Sequence, residues 1–169
     1  VVTRYDGEHP LVREADTNLD GSKDTTIQYQ DGTKVSQEED RDGDGKADAR
    51  YRFDSEGTLV FEELDEDKNG HFEIANAHAG GSLQRRTTIS RKSGKAAQIE
   101  HFETGKLTRM ELDESGDGSI DLWNHYAADG TLTSQEQDSD SNGAVDTWVT
   151  LDAETGKERT IRRDRDGNG

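Results

Sequence analysis

The sequence predicts an all-β fold, an extended array of β-hairpin repeats, ribbon or solenoid, with a period of about 25 residues. Three observations carry this reading. The phrase D-x-[DNS]-x-[DN]-G-x-x-[DE] begins at Asp16, Asp40, Asp65, Asp113 and Asp138, and its first six positions begin again at Asp164. Short segments with apolar residues at alternate positions follow the phrases, which is the period of a strand. A glycine turn then divides each interval of about 16 residues and leaves no room for paired helices.

Along the chain, Tyr5 opens a strand in phase with Tyr29 of the next repeat. After the first phrase come Ile27 and Tyr29, the Asp31-Gly32 turn, and a second strand running into Asp40. Tyr51 and Phe53, Glu56-Gly57 and Leu59 repeat the order, and Gly80-Gly81 with Leu83 marks the third turn. Near Ser90 the period calls for another phrase, found only in degenerate form. Thr104-Gly105 with Leu107, then Leu122, Trp123 and Tyr126 before Asp129-Gly130 and Leu132, continue the pattern. Trp148, Val149 and Leu151 precede the last turn at Thr155-Gly156. The whole chain, 1–169, reads as one array with repeat starts near 16, 40, 65, 90, 113, 138 and 164.

Composition says what must hold such an array together. Only 27% of the residues are apolar and the net charge is −17, close to chains that stay disordered. Apolar burial alone cannot offset about 1 to 2 kcal/mol of backbone entropy per residue. The regular placement of aromatics and acids nonetheless marks a folded chain, since an acidic tail has no such order. No basic stripe exists to displace phosphate counterions, which excludes nucleic acid and favours cations. Cysteine is absent, so neither disulfides nor thiolate metal sites are available. No apolar run approaches the roughly 20 residues that span a bilayer.

The phrase itself supplies oxygen ligands. A hard cation such as Ca²⁺ takes six to eight oxygens, and a tight loop can turn positions 1, 3, 5 and 9 toward one point while glycine at position 6 makes the bend. Mg²⁺ holds a stricter octahedron and keeps its waters, so crowded carboxylates favour calcium. The candidate ligands are Asp16, Asn18, Asp20 and Asp24; Asp40, Asp42, Asp44 and Asp48; Asp65, Asp67, Asn69 and Glu73; Asp113, Ser115, Asp117 and Asp121; and Asp138, Asp140, Asn142 and Asp146. Asp164, Asp166 and Asn168 begin a sixth, incomplete site. About five complete Ca²⁺ sites are therefore expected. These loops resemble the calcium loops of thrombospondin type 3 repeats and of integrin-type β-propellers, although the cysteines of the former are missing. They are similar to EF-hand loops over the first half only, because position 12, where that family needs a bidentate Glu, holds Ile27, Tyr51, Asn76, Asn124 or Val149. The hairpins between them resemble bacterial MORN-type repeats.

Glu14, Glu38, Glu63, Glu111 and Glu136 stand two residues before each first aspartate. Residues two apart on a strand share a face, so these glutamates either add a calcium oxygen or pair with a basic residue across the strands. Around Ser90 the chain reads Ser90-Arg91-Lys92-Ser93-Gly94-Lys95-Ala96-Ala97-Gln98, with no carboxylate. Either its cations stand in for a metal or it is an ordinary basic surface loop, and in both readings it binds no ion. The start at Val1-Val2-Thr3 and the stop at Gly169 cut through repeats, as in a slice of a longer array or a subunit that joins end to end.

The expected function is a calcium-stabilised structural element outside the cytoplasm: a filament subunit, stalk or adhesin segment, of bacterial type by resemblance. Extracellular modules work near 10⁻⁴ to 10⁻³ M calcium, far above cytosolic levels. The alternative is a calcium-dependent carbohydrate- or protein-binding module using Trp123, Tyr126 and Trp148. Catalysis is not expected: His9, His71, His78, His101 and His125 are scattered and no nucleophile motif such as G-x-S-x-G occurs.

Overall fold

The computed structural model describes residues 1–152 and 154–164, which form fourteen β-strands and no helix. The chain divides into two compact units, Val1–Leu83 and Gln84–Gly169. In the first, β1 (Val2–Asp6), β2 (His9–Ala15), β3 (Thr25–Gln30), β4 (Thr33–Glu39), β5 (Ala49–Phe53), β6 (Leu59–Leu64) and β7 (Ile74–Ala79) pair antiparallel in chain order. Strand β8 (Ser82–Ile89) begins in the last two residues of that unit. In the second unit it pairs with β9 (Ala96–Glu103), and β10 (Lys106–Leu112), β11 (Leu122–Tyr126), β12 (Leu132–Gln137), β13 (Thr147–Leu151) and β14 (Glu158–Arg163) follow, again in chain order. Of the two forms expected, ribbon and solenoid, this pairing within each unit is a ribbon's.

The all-β expectation holds, and the reason lies in the glycine turns. Each short reversal returns the chain beside the strand it has just left, and just after it the returning strand carries one extra, bulged residue, as at Val35 opposite Gln28/Tyr29, Val60 opposite Arg52/Phe53 and Thr133 opposite His125/Tyr126. Such bulges raise local twist and fit a two-residue turn to the strands. In an antiparallel meander, successive connections lie at alternate ends. The tight turns of each unit therefore share one end, and the acidic loops share the other.

Apolar packing is thin. Ala15, Ala49 and Ile99 are the buried apolar residues among those described, and no large side chain is fully buried. Cationic side chains lie over aromatic rings instead: Lys34 over Phe53 at 4.1 Å, Arg52 over Phe61 at 4.2 Å, Arg50 over Phe72 at 4.6 Å and Arg162 over Trp148 at 4.2 Å. Their charged ends lie over the ring faces, attracted by the ring quadrupole, which partly replaces a second packed layer.

The register also settles where the pre-loop glutamates point. In the first unit Glu14, Thr26, Glu38, Arg50 and Glu63 form one cross-strand row, and in the second Ile99, Glu111, Trp123, Glu136, Trp148 and Arg162 form another. Glu14 contacts Lys23 at 2.6 Å and Arg4 at 3.3 Å, Glu38 contacts Arg50 at 3.4 Å, Glu111 contacts His101 at 2.7 Å, and Glu136 lies 3.5 Å from His125. Four of the five thus face basic partners across or along the strands. Of the two readings of these glutamates, the pairing reading is the one this geometry matches.

Candidate metal loops

Each phrase folds as the connection between two hairpins: 16–24 after β2, 40–48 after β4, 65–73 after β6, 113–121 after β10 and 138–146 after β12. The first and last loop residues are placed by main-chain bonds. The N–H of position 9 donates to the carbonyl just before position 1, as from Asp24 to Ala15 (3.0 Å), Asp48 to Glu39 (2.7 Å) and Asp121 to Leu112 (2.9 Å). The N–H of the next loop's position 1 then donates to the carbonyl of position 9: Asp40 to Asp24, Asp65 to Asp48, Asp138 to Asp121 and Asp164 to Asp146, all at 2.8 to 2.9 Å. Adjacent loops are therefore bonded side by side.

Inside the loop, carboxylates organise the backbone. The position-1 aspartate accepts the N–H of position 6 in every loop, at 3.1 Å from Gly21, 2.8 Å from Gly45, 2.6 Å from Gly70, 2.8 Å from Gly118 and 2.7 Å from Gly143. The position-5 side chain accepts the N–H two residues on, from Ser22, Lys46, His71, Ser119 and Ala144 at 2.7 to 2.9 Å. Position 9 reaches back across the loop: Asp48 accepts from Arg41 (2.6 Å) and Asp42 (3.2 Å), and Asp121 from Glu114 and Ser115, both 2.9 Å. Position 6 glycine has positive φ throughout, as expected. Position 4 does too, in Leu19, Gly43, Lys68, Gly116 and Ser141, which the sequence reading missed because three of these are not glycine.

These bonds bring carboxylates together. Asp40, Asp42 and Asp48 offer oxygens within 4.8 Å of one another, as do Asp65, Asp67 and Glu73, and Asp138, Asp140 and Asp146, and each group could hold a metal ion. Positions 1, 3 and 9 make the acidic triads; at position 5 the Asp44, Asn69 and Asn142 side chains accept the position-7 N–H through one oxygen, and Asn69 also donates to Glu73 at 2.9 Å. In the two remaining loops position 3 is neutral. Asn18 donates to Asp20 at 3.0 Å beside Asp16 and Asp24, and Ser115 donates to Asp113 at 3.3 Å beside Asp117 and Asp121. Asp164 is held by its bond to Asp146, while Asp166 and Asn168 lie outside the described residues.

Several of these carboxylates are among the best-buried side chains of the protein. Asp48 and Asp65 are 3% exposed and Asp138 4%, more deeply covered than Ala15 or Ile99. Burial pushes the Asp24 carboxyl up, but the Thr17 N–H and hydroxyl and the Asn18 N–H outweigh it and hold it below the usual carboxylate range. Asp121 balances in the same way through Glu114 and Ser115. Asp146 is lowered first by the Ser139 hydroxyl, then by Thr147, and Asp20 first by the Ser22 N–H. All four are therefore held as anions, the form a cation needs.

The segment at Ser90 closes differently. The Ser90 N–H donates to the Lys95 carbonyl and the Gly94 N–H to the Ser90 carbonyl, both at 2.8 Å, and the Ser90 and Ser93 hydroxyls accept the Ser93 and Lys95 N–H groups, so main-chain bonds and serine hydroxyls do what carboxylates do elsewhere. The Lys95 side chain runs to the next loop, where a Cβ on Gly118 would meet its Cδ at 2.7 Å. Lys46 behaves alike, lying 3.4 Å from Asp44 and against Gly70 of the following loop.

No protein-family profile matches the chain. No curated protein matches it either. Among solved structures, one of S. aureus TarM, a variant in complex with Fondaparinux, alpha-GlcNAc-glycerol and UDP, overlaps 60% of this chain at 14% identity and a TM-score of 0.44. Another structure of TarM overlaps 87% at 13% identity and a TM-score of 0.22. The chain covers 19% and 20% of those chains, and at these TM-scores the overlap assigns neither fold nor activity.

Proposed function

We propose that this chain is a calcium-stabilised structural repeat protein that works outside the cytoplasm, as a stalk, filament or adhesin segment. One observation carries the proposal: loop carboxylates occupy the buried positions that apolar side chains hold in an ordinary domain. Buried anions are costly unless paired, and although N–H and hydroxyl donors offset that burial, three carboxylates with oxygens within 4.8 Å of one another repel until a cation joins them. An all-oxygen set with three carboxylates in a small loop suits a hard divalent cation, and calcium above magnesium because the loop offers many ligands on a flexible frame. Five divalent ions would take the net charge from −17 to −7. Sites of this kind fill at extracellular calcium, which is the basis of the proposed location.

A binding-module role would need Trp123, Tyr126 and Trp148 as an open aromatic row. They are half-buried, and Arg162 lies over Trp148, which favours the structural role. The test is calcium titration of the chelated chain, followed together by calorimetry and far-ultraviolet circular dichroism. Calcium uptake at the five loops with a gain of β-signal and melting temperature supports the proposal. A spectrum and melting temperature indifferent to millimolar calcium and to EDTA would defeat it.

A further inference from the structure

Among the described residues, two loops carry asparagine at position 5, Asn69 and Asn142, each followed by the position-6 glycine; a third such pair, Asn168-Gly169, lies outside the described residues. An Asn-Gly pair is open to a particular reaction. The glycine N attacks the asparagine Cγ, the side-chain nitrogen leaves as ammonia, and water opens the resulting cyclic imide to aspartate or its β-linked isomer. Three things limit it: a base for the glycine N–H, a donor for the carbonyl oxygen that becomes anionic, and water.

Both loops supply all three. The Gly70 N–H points at the Asp65 carboxylate at 2.6 Å, and the Gly143 N–H at the Asp138 carboxylate at 2.7 Å. The oxygen on the attacked carbon accepts a backbone N–H in each case, Asn69 Oδ1 from His71 at 2.8 Å and Asn142 Oδ1 from Ala144 at 2.9 Å. That bond withdraws charge from the carbonyl and keeps the side chain folded back along the chain toward the glycine. Asn69 and Asn142 are themselves exposed to water, while Asp65 and Asp138 are buried, so their oxygens face little competition from solvent for the N–H.

We propose that Asn69 and Asn142 are self-modification sites, at which the first aspartate of the same loop promotes deamidation. As the N–Cγ bond forms, Asp65 or Asp138 takes the glycine proton, and the Oδ1 anion is held by the position-7 N–H. The Cγ–Nδ2 bond then breaks, and the proton returns from the aspartate to the departing ammonia. The net change is amide plus water to acid plus ammonia. Asp20, Asp44 and Asp117 sit in the same network but carry a carboxyl group, with no amine to expel. Conversion to aspartate gives the loops at 65 and 138 the Asp-x-Asp-x-Asp set that the loop at 40 already has.

The test is incubation of the intact chain in metal-free neutral buffer, followed by site-resolved mass spectrometry of timed digests. The readout is mass, so it stands whether or not the loops take up calcium. Asn69 and Asn142 convert, while Asn18, Asn76 and Asn124, which precede Leu19, Ala77 and His125, remain amides; Asn168, also followed by glycine, is scored separately and decides neither outcome. Asp65→Asn keeps an oxygen that can accept the glycine N–H but removes the base; it slows conversion at Asn69 several-fold and leaves Asn142 unchanged. Asp138→Asn does the reverse. Persistence of both amides, rates indifferent to the loop's own aspartate, or equal slowing at both sites by either variant overturns the proposal.

Discussion

Single side chains in this protein do two jobs, and substitutions can separate them. Asp48 accepts N–H groups from Arg41 and Asp42 across its loop and also belongs to the carboxylate triad. Asp42 belongs to the triad too, but accepts one bond, from Asp44 at 3.1 Å, that an amide oxygen can keep. Asp48→Ala is therefore expected to destabilise the metal-free chain by about 1 to 3 kcal/mol, the usual cost of stranding buried donors. Asp42→Asn should leave the metal-free melting curve alone and weaken calcium binding. Chemical denaturation in EDTA and calorimetry with calcium check both. Leu19 offers a different case. It is 85% exposed with φ at 65°, a conformation that costs a non-glycine residue roughly 1 to 2 kcal/mol. Leu19→Gly, after the entropy cost of glycine, should raise stability by about 0.5 to 1 kcal/mol, read as a higher denaturation midpoint. Acid gives a third expectation. Asp20, Asp24, Asp121 and Asp146 titrate below their ordinary values in the folded chain, so their contribution is whole at neutral pH. It is lost as pH falls from about 3.9 through the lower folded values. Circular dichroism against pH in EDTA should show the β-signal decline in that acid window, with no transition near neutrality from these groups.

At the scale of the element, the strand, the turn and the loop were each legible because each has its own local chemistry. Alternation around Tyr51 and Phe53 or Trp148 and Leu151 placed strands, and Asp-Gly or Thr-Gly pairs placed reversals. Two features were not legible. Register decides that Glu38 meets Arg50 and Glu136 approaches His125, and register depends on where the bulge falls, which no residue type announces. The left-handed residue at position 4 was hidden because the loop's hydrogen bonds impose it on leucine, lysine and serine alike. Ligand positions 1, 3 and 9 were read from spacing and come together in three loops, while the bond from the position-7 N–H to the position-5 side chain is a contact that spacing alone does not reveal. The segment from Ser90 to Lys95, closed by its own main chain, should take no ion. Lanthanide-soaked crystals should show anomalous peaks at the five acidic loops and none between Ser90 and Gln98.

For the whole molecule, its own charge adds to the conformational entropy that opposes compaction. At −17 with few buried apolar groups, the chelated chain should be stabilised modestly by raising monovalent salt, which screens repulsion between exposed acids over about 8 to 10 Å. Calcium at far lower ionic strength should exceed that effect, since it adds specific bonds and not screening alone. Melting curves with matched ionic strengths of sodium and calcium chloride make the comparison, and equal curves would reduce calcium to a generic counterion.

Chain-order pairing within each unit has a consequence for how the chain reaches its fold. Every strand of a unit finds its partners among its immediate neighbours in sequence, so no distant segments must search for one another and contact order is low. Such a polypeptide can zip progressively from one end, adding one hairpin at a time as the residues become available. Excision of one complete period leaves the remaining strands still alternating in direction, with loops still abutting loops. Shortened versions lacking 40–64, for example, should fold with unchanged register, and their folding rate should barely respond to length.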